Sequence, residues 1–110
     1  MPHFAHQRWA FLALFPFFLL VFSFQAHSQS ADLGKQVFTT IAQPPCGLCH
    51  KLAAADATGE IGPNLDELKP NEEKVRRAVE RGVGNMPPFG EVLSKEQIDA
   101  VTKFVADAVR

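Results

Sequence analysis

The sequence predicts an all-α domain of three main helices and long loops, closed on something other than its own side chains. Three observations carry this. Apolar residues recur at helical spacing in three stretches, each with recognisable start or stop residues. No run alternates apolar and polar residues as a hairpin needs. Residues 29–110 hold only three aromatics, Phe38, Phe89 and Phe104, a thin supply for the core of so short a chain.

The first element is a leader rather than part of that domain. Residues 1–28 hold seven of the ten Phe, the single Trp, three of the four His and one charge, Arg8. An uncharged run from Trp9 to Phe24 follows Arg8, then small residues at Ala26 and Ser28. This is the pattern of a secretory signal peptide. The run is shorter than the roughly 20 residues a spanning helix needs, and it contains Pro16. An uncleaved membrane anchor is the alternative. Residues 1–28 are thus read as signal peptide and 29–110 as the functional domain, exported to a bacterial periplasm.

Within the domain, Ala31 to Ala42 reads as a helix with Leu33, Val37, Phe38 and Ile41 on one stripe. Pro44 and Pro45 end it. Leu52 to Lys69 reads as loop with at most one helical turn. Asn71 caps a second helix, with Glu72 and Glu73 at its positive end, apolar Val75, Ala78 and Val79, and a stop at Gly82. Gly84 to Gly90 is an irregular loop. Ser94 and Gln97 form a capping box for a last helix whose inner face is Ile98, Val101, Phe104, Val105 and Ala108. Arg76, Arg77 and Arg81 read as a solvated helix face. Leu65, Leu68, Val75, Val79, Val101 and Val105 read as core. Asp66 and Glu67 read as a loop charge pair with no implied metal.

Charge narrows the function. All twelve acidic and ten of the eleven basic residues lie in 29–110, a net of −2. That argues against a nucleic-acid binder, which carries a basic face. A disulfide between Cys46 and Cys49 closes too small a loop to add much stability. The thin core therefore points to a buried prosthetic group.

Cys46-Gly47-Leu48-Cys49-His50 is the C-x-x-C-H signature of covalent haem attachment. Two Cys three apart on one helical turn project to the same side, so each can form a thioether with one vinyl group of a single porphyrin. His50 follows directly and is set to reach the iron. The rival readings are weaker. A thioredoxin-like pair belongs beside a βαβ pattern. A zinc site needs four ligands, and residues 29–110 offer no further Cys or His. For the sixth iron position the candidate is Met86, the single Met of the domain, in a Gly- and Pro-bounded loop. An open or water-bound iron, with Met86 merely packed nearby, is the other possibility.

With these motifs the domain resembles the small class I c-type cytochromes of bacteria. The resemblance rests on Gly34 and Phe38, Cys46-x-x-Cys49-His50, Gly62-Pro63-Asn64-Leu65, Asn85-Met86-Pro87 and Phe104. It implies a small cytochrome c-like fold wrapped around one covalently bound haem c, with His50 and Met86 as axial ligands. It also implies that Gly34 lets the first and last helices cross closely with Phe104 at the crossing. The Pro63 carbonyl would accept the second ring N–H of His50 and orient it, and the Asn85 amide would reach the Met86 sulfur. Two departures stand out. Seven residues, Thr39 to Pro45, separate Phe38 from Cys46, longer than the family's pattern, so Pro44 and Pro45 are expected to bulge near the haem edge. No Tyr or Trp is present in 29–110 to donate to a haem propionate.

The implied role is a periplasmic one-electron carrier rather than an enzyme. It would accept electrons from a dehydrogenase and pass them to a respiratory acceptor. Residues 62–69 look like the cytochrome subunits of sulfite dehydrogenases. A haem-based gas sensor and a dithiol redox protein at Cys46 and Cys49 are the alternatives.

Overall fold

The computed structural model describes residues 25–110, so the reading of residues 1–24 lies outside the described residues. Helix α1 (Gln25–Gln36) runs straight into one π-helical turn, Val37–Ile41. The wide turn has a local cause. The Ala42 N–H donates to the Val37 carbonyl five residues back, at 3.1 Å. The Thr39 and Thr40 hydroxyls donate to the Lys35 and Gln36 carbonyls at 2.9 Å each, taking two carbonyls of the helix in side-chain bonds. The extra residue in the turn shifts the register. Val37, Phe38 and Ala42 are buried, while Ile41 turns outward at 37% exposure. Uniform 3.6-residue spacing puts Ile41 on the inner stripe; the π turn removes it.

Helix α2 (Cys46–Cys49) is one turn. Strand β1 (Lys51–Leu52), a 3₁₀ turn (Ala53–Ala55) and strand β2 (Ala57–Thr58) then form a small antiparallel hairpin, with Lys51 opposite Thr58 and Leu52 opposite Ala57. The sequence carries no hairpin signal, because two-residue strands are too short to show alternation. The turn is made by Asp56 in the left-handed region (φ 51°) and by the Asp66 carboxylate, which accepts the Ala53 N–H at 2.9 Å. Asp66 is therefore a structural clamp rather than an idle loop charge.

Helix α3 (Leu65–Leu68) is capped by Asn64, which accepts from the Asp66 N–H at 3.0 Å. Leu65 is buried, but Leu68, read as core, is 43% exposed. A single turn can point only one of its two leucines inward. Helix α4 (Glu72–Arg81) starts at Asn71, which accepts from the Lys74 N–H, and ends at Gly82. Helix α5 (Lys95–Ala108) carries both bonds of its capping box, Gln97 N–H to Ser94 Oγ at 3.1 Å and Ser94 N–H to Gln97 Oε1 at 2.9 Å.

Helix α5 packs on both α1 and α4. At the α1 crossing a Cβ on Gly34 would overlap the Ala100 carbonyl and lie 2.5 Å from Phe104 Cβ, so only glycine lets the backbones meet. Phe104 then reaches Phe38 edge-on, ring centroids 6.2 Å apart. At the α4 contact Arg76 Nη1 meets Asp99 Oδ1 at 2.6 Å, and Lys95 Nζ holds the other carboxylate oxygen at 2.6 Å. Hydrogen bonds from Lys95 and then Arg76 hold the Asp99 carboxyl below the ordinary carboxylate range. Arg76 is thus a tie between helices rather than part of a solvated face. Arg77 pairs along its own helix with Glu73. Among the described residues no helix is long and apolar enough to cross a membrane.

Candidate haem site

The site is built from α2 outward. Pro45 is the N-cap, with extended backbone, and its carbonyl accepts the Leu48 N–H at 3.1 Å. His50 closes the turn through its N–H to the Cys46 carbonyl at 2.9 Å. Gly47 faces inward, where a Cβ would lie 3.5 Å from Phe38 Cε1 and 3.0 Å from Ala57 Cβ. Cys46 and Cys49 are half-buried and unbridged. Burial pushes the Cys46 thiol up to about 11, the chief cause being desolvation of the thiolate. A thiol that stays protonated at neutral pH is a poor redox nucleophile.

His50 is held from two sides. Its Nδ1 lies 2.8 Å from the Pro63 carbonyl oxygen. A carbonyl can only accept, so Nδ1 is the donor, and in the neutral ring this tautomer puts the lone pair on Nε2. On the other side Gly62 lies under the ring. A Cβ there would be 2.7 Å from Cε1 and 2.9 Å from Nδ1 of His50. The Gly62 N–H donates to the Cys49 carbonyl at 2.7 Å, tying this loop to the end of α2. Gly62 is a cradle that the sequence names only as part of a motif; its contact with His50 needed the fold.

Met86 is half-buried and packs against the core. It closes a tight turn in which Val83 and Met86 exchange both backbone hydrogen bonds, at 3.1 and 2.9 Å. Gly84 takes the first central position with φ 54°, as two-residue hairpins of the II′ kind require. Beyond the two prolines the chain returns to the end of α4. The N–H groups of Gly82, Phe89 and Gly90 donate to the carbonyls of Ala78, Val79 and Glu80 at 2.8, 2.8 and 3.2 Å. Three carbonyls of the last helical turn are thereby satisfied, and the Met86 backbone is fixed from both flanks. Gly82 itself sits at φ 68°, ψ 170°, a region open essentially to glycine alone. The Asn85 side chain is exposed, and among the described residues it makes no hydrogen bond to the Met86 sulfur.

The structure thus brings Cys46, Cys49, His50 and Pro63 together around one turn and sets Met86 on a separate, closed loop. Two unbridged thiols, an imidazole anchored at Nδ1 and a thioether carried on a constrained backbone are a donor set that suits a covalently held haem. Among the described residues there is no group of three or more His, Cys, Asp and Glu side chains that could hold a metal ion by itself.

Such donors on an all-α frame define the class of c-type cytochromes. Residues 29–105 match the family model described as cytochrome c oxidase, cbb3-type, subunit III. Among solved structures the chain is similar to the c-type cytochrome SorU from Sinorhizobium meliloti, at 46% identity over 74% of this chain and 93% of that one, with a TM-score of 0.71. Comparison with curated proteins gave no match. The chain belongs to the c-type cytochrome family of the cbb3-type oxidase subunit III description. Its cofactor is covalently bound haem c and its activity is electron transfer.

Proposed function

We propose that this protein is a periplasmic one-electron carrier in which one haem is attached through Cys46 and Cys49 and the iron is held between His50 and Met86. The haem supplies a ferric/ferrous couple. Pro63 and Gly62 hold the His50 ring so that Nε2 is presented without rotation. The hydrogen bond at Nδ1 also fixes the orientation of the ring. The observation that carries the reading is the closure of the Met86 loop onto α4. A thioether delivered by so constrained a backbone keeps its place in both oxidation states, so little reorganisation accompanies electron exchange.

The donor is read as a dehydrogenase, with residues 62–69 favouring a sulfite dehydrogenase, and the acceptor as a respiratory protein. The cytochrome acts as a free carrier or as the haem subunit of that dehydrogenase. Contact with either partner is brief and small. Residues 1–28 act as the export signal, cleaved before the domain starts at residue 29.

A gas sensor needs a labile sixth position, which the closed Met86 loop disfavours. A dithiol enzyme needs a reactive thiolate, which the raised Cys46 thiol disfavours. The test is to export the protein together with a haem-attachment system, take its mass, and titrate its potential. A covalent haem adduct is expected. Met86→Ala should lower the potential and change the axial-ligand spectrum. A protein that leaves the cell without haem, or a variant with the wild-type spectrum, contradicts the assignment.

A further inference from the structure

We infer that Asp66 is a positioning residue for electron exchange: its carboxylate steadies the loop that orients His50 and so fixes the plane of the axial imidazole. The inference rests on the reading of His50 as an iron ligand. Two hydrogen bonds join residues 50–53 to residues 63–66. His50 Nδ1 donates to the Pro63 carbonyl at 2.8 Å, and the Ala53 N–H donates to Asp66 Oδ2 at 2.9 Å. Both link residues 13 apart in the chain, so the two segments run in parallel and are pinned at both ends. Between the pins Leu52 and Leu65 are buried. The Asp66 N–H donates in turn to the Asn64 side chain at 3.0 Å, which keeps the stretch after Pro63 folded as one turn.

A single pin is a pivot. A segment held only at Pro63 can rotate about that bond and carry the imidazole with it; the second pin stops the rotation. The second pin is also strong for its place. Its acceptor is a carboxylate, and its donor opens the 3₁₀ turn Ala53–Ala55, where the first N–H groups have no carbonyl of their own turn to meet. The hairpin that Asp66 grips is itself braced on α2, since a Cβ on Gly59 would lie 2.6 Å from the Leu48 carbonyl oxygen and 2.7 Å from that of Gly47. Asp66 therefore holds the His50-orienting loop in register with the turn that carries both cysteines. A ligand plane held still in both oxidation states adds little reorganisation to electron exchange; a pivoting one adds more.

The test is NMR of the ferric holoprotein, reading solvent exchange of the His50 Nδ1 proton and the paramagnetic shifts of the His50 ring. Asp66→Ala should speed the exchange about tenfold, the factor that one net hydrogen bond supplies, and should move the ring shifts while the covalent haem is retained. Ala53→Pro removes the same bond from the donor side, so it serves even if Asp66→Ala fails to fold. The backbone suits it, because Leu52 is extended (φ −155°, ψ 111°) and Ala53 is the first residue of its turn. It should match Asp66→Ala, and the double variant should exchange no faster than either single one. Glu67→Ala, an exposed neighbour on the same turn, should behave as wild type. Gly34→Ala strains the distant α1–α5 crossing and should lower stability while leaving exchange and shifts unchanged. Wild-type exchange and shifts in Asp66→Ala or in Ala53→Pro overturn the proposal. So does Gly34→Ala speeding the exchange as much as Asp66→Ala, which reduces the effect to stability. A haem-loaded protein whose His50 ring carries no paramagnetic shift would instead defeat the reading of His50 as a ligand.

Discussion

Substituting Gly62 by Ala isolates the orientation of the proposed axial histidine. The new methyl would lie 2.7, 2.9 and 3.2 Å from Cε1, Nδ1 and Nε2 of His50. Carbon contacts normally sit at about 3.5–4.0 Å, so the ring must move by roughly 1 Å. It cannot move freely, because Nδ1 is anchored to Pro63 at 2.8 Å. Overpacking costs about 1–3 kcal/mol and a lost hydrogen bond about 1 kcal/mol. Reduced freedom of the unfolded chain offsets about 0.5 kcal/mol. The net is a loss of about 2 kcal/mol, which for a domain of this size lowers Tm by about 8–16 °C. The assay is thermal unfolding of the ferric holoprotein with the axial-ligand spectrum read alongside. Both should change. A variant with wild-type Tm and wild-type spectrum refutes the argument that Gly62 cradles the ring.

Other perturbations separate the remaining parts. Gly34→Val should force α1 and α5 apart against Ala100 and Phe104, costing about 2–4 kcal/mol in chemical denaturation, with the haem potential little changed. Gly82→Ala places a Cβ 2.5 Å from the Met86 carbonyl oxygen on a backbone at φ 68°; it should cost about 1–3 kcal/mol and lower the potential by loosening Met86, and a wild-type potential contradicts this. Asp99→Asn should cost less than about 1 kcal/mol at neutral pH, because the pair is partly exposed. The Asp99 carboxyl is held low in the folded state. Its contribution is therefore present above the ordinary carboxylate range and is lost as pH falls through the depressed folded value. The Tm gap between wild type and variant should narrow steadily as the pH falls below the ordinary carboxylate range; a gap that stays constant in acid removes the ion pair as its cause.

Much of this was legible in the residues, and for physical reasons. Caps are local: Asn71, Ser94 with Gln97, and Gly82 each act within one turn, so they mark helix ends without any knowledge of the fold. The C-x-x-C-H turn is equally local. Pro63 was reached through the family resemblance, and its carbonyl does lie at hydrogen-bonding distance from His50 Nδ1, 13 residues away. What escaped depends on tertiary placement or on small departures from ideal helix. The π turn that exposes Ile41 comes from two threonine hydroxyls bonding backward, which apolar periodicity does not register. The hairpin at Lys51–Thr58 depends on an Asp66 clamp far along the chain. Arg76 reads as solvated until α5 brings Asp99 beside it, 23 residues away. Gly62 and Gly82 are legible as punctuation, but their contacts with His50 and Met86 are not.

The central claim is an iron closed on both sides by protein, and carbon monoxide tests it most directly. The reduced holoprotein should show no rapid carbon monoxide adduct at neutral pH, while Met86→Ala should bind it readily and retain the covalent haem. A wild-type protein that binds carbon monoxide as readily as the variant would contradict Met86 as a fixed ligand and would turn the account toward a ligand-binding haem protein.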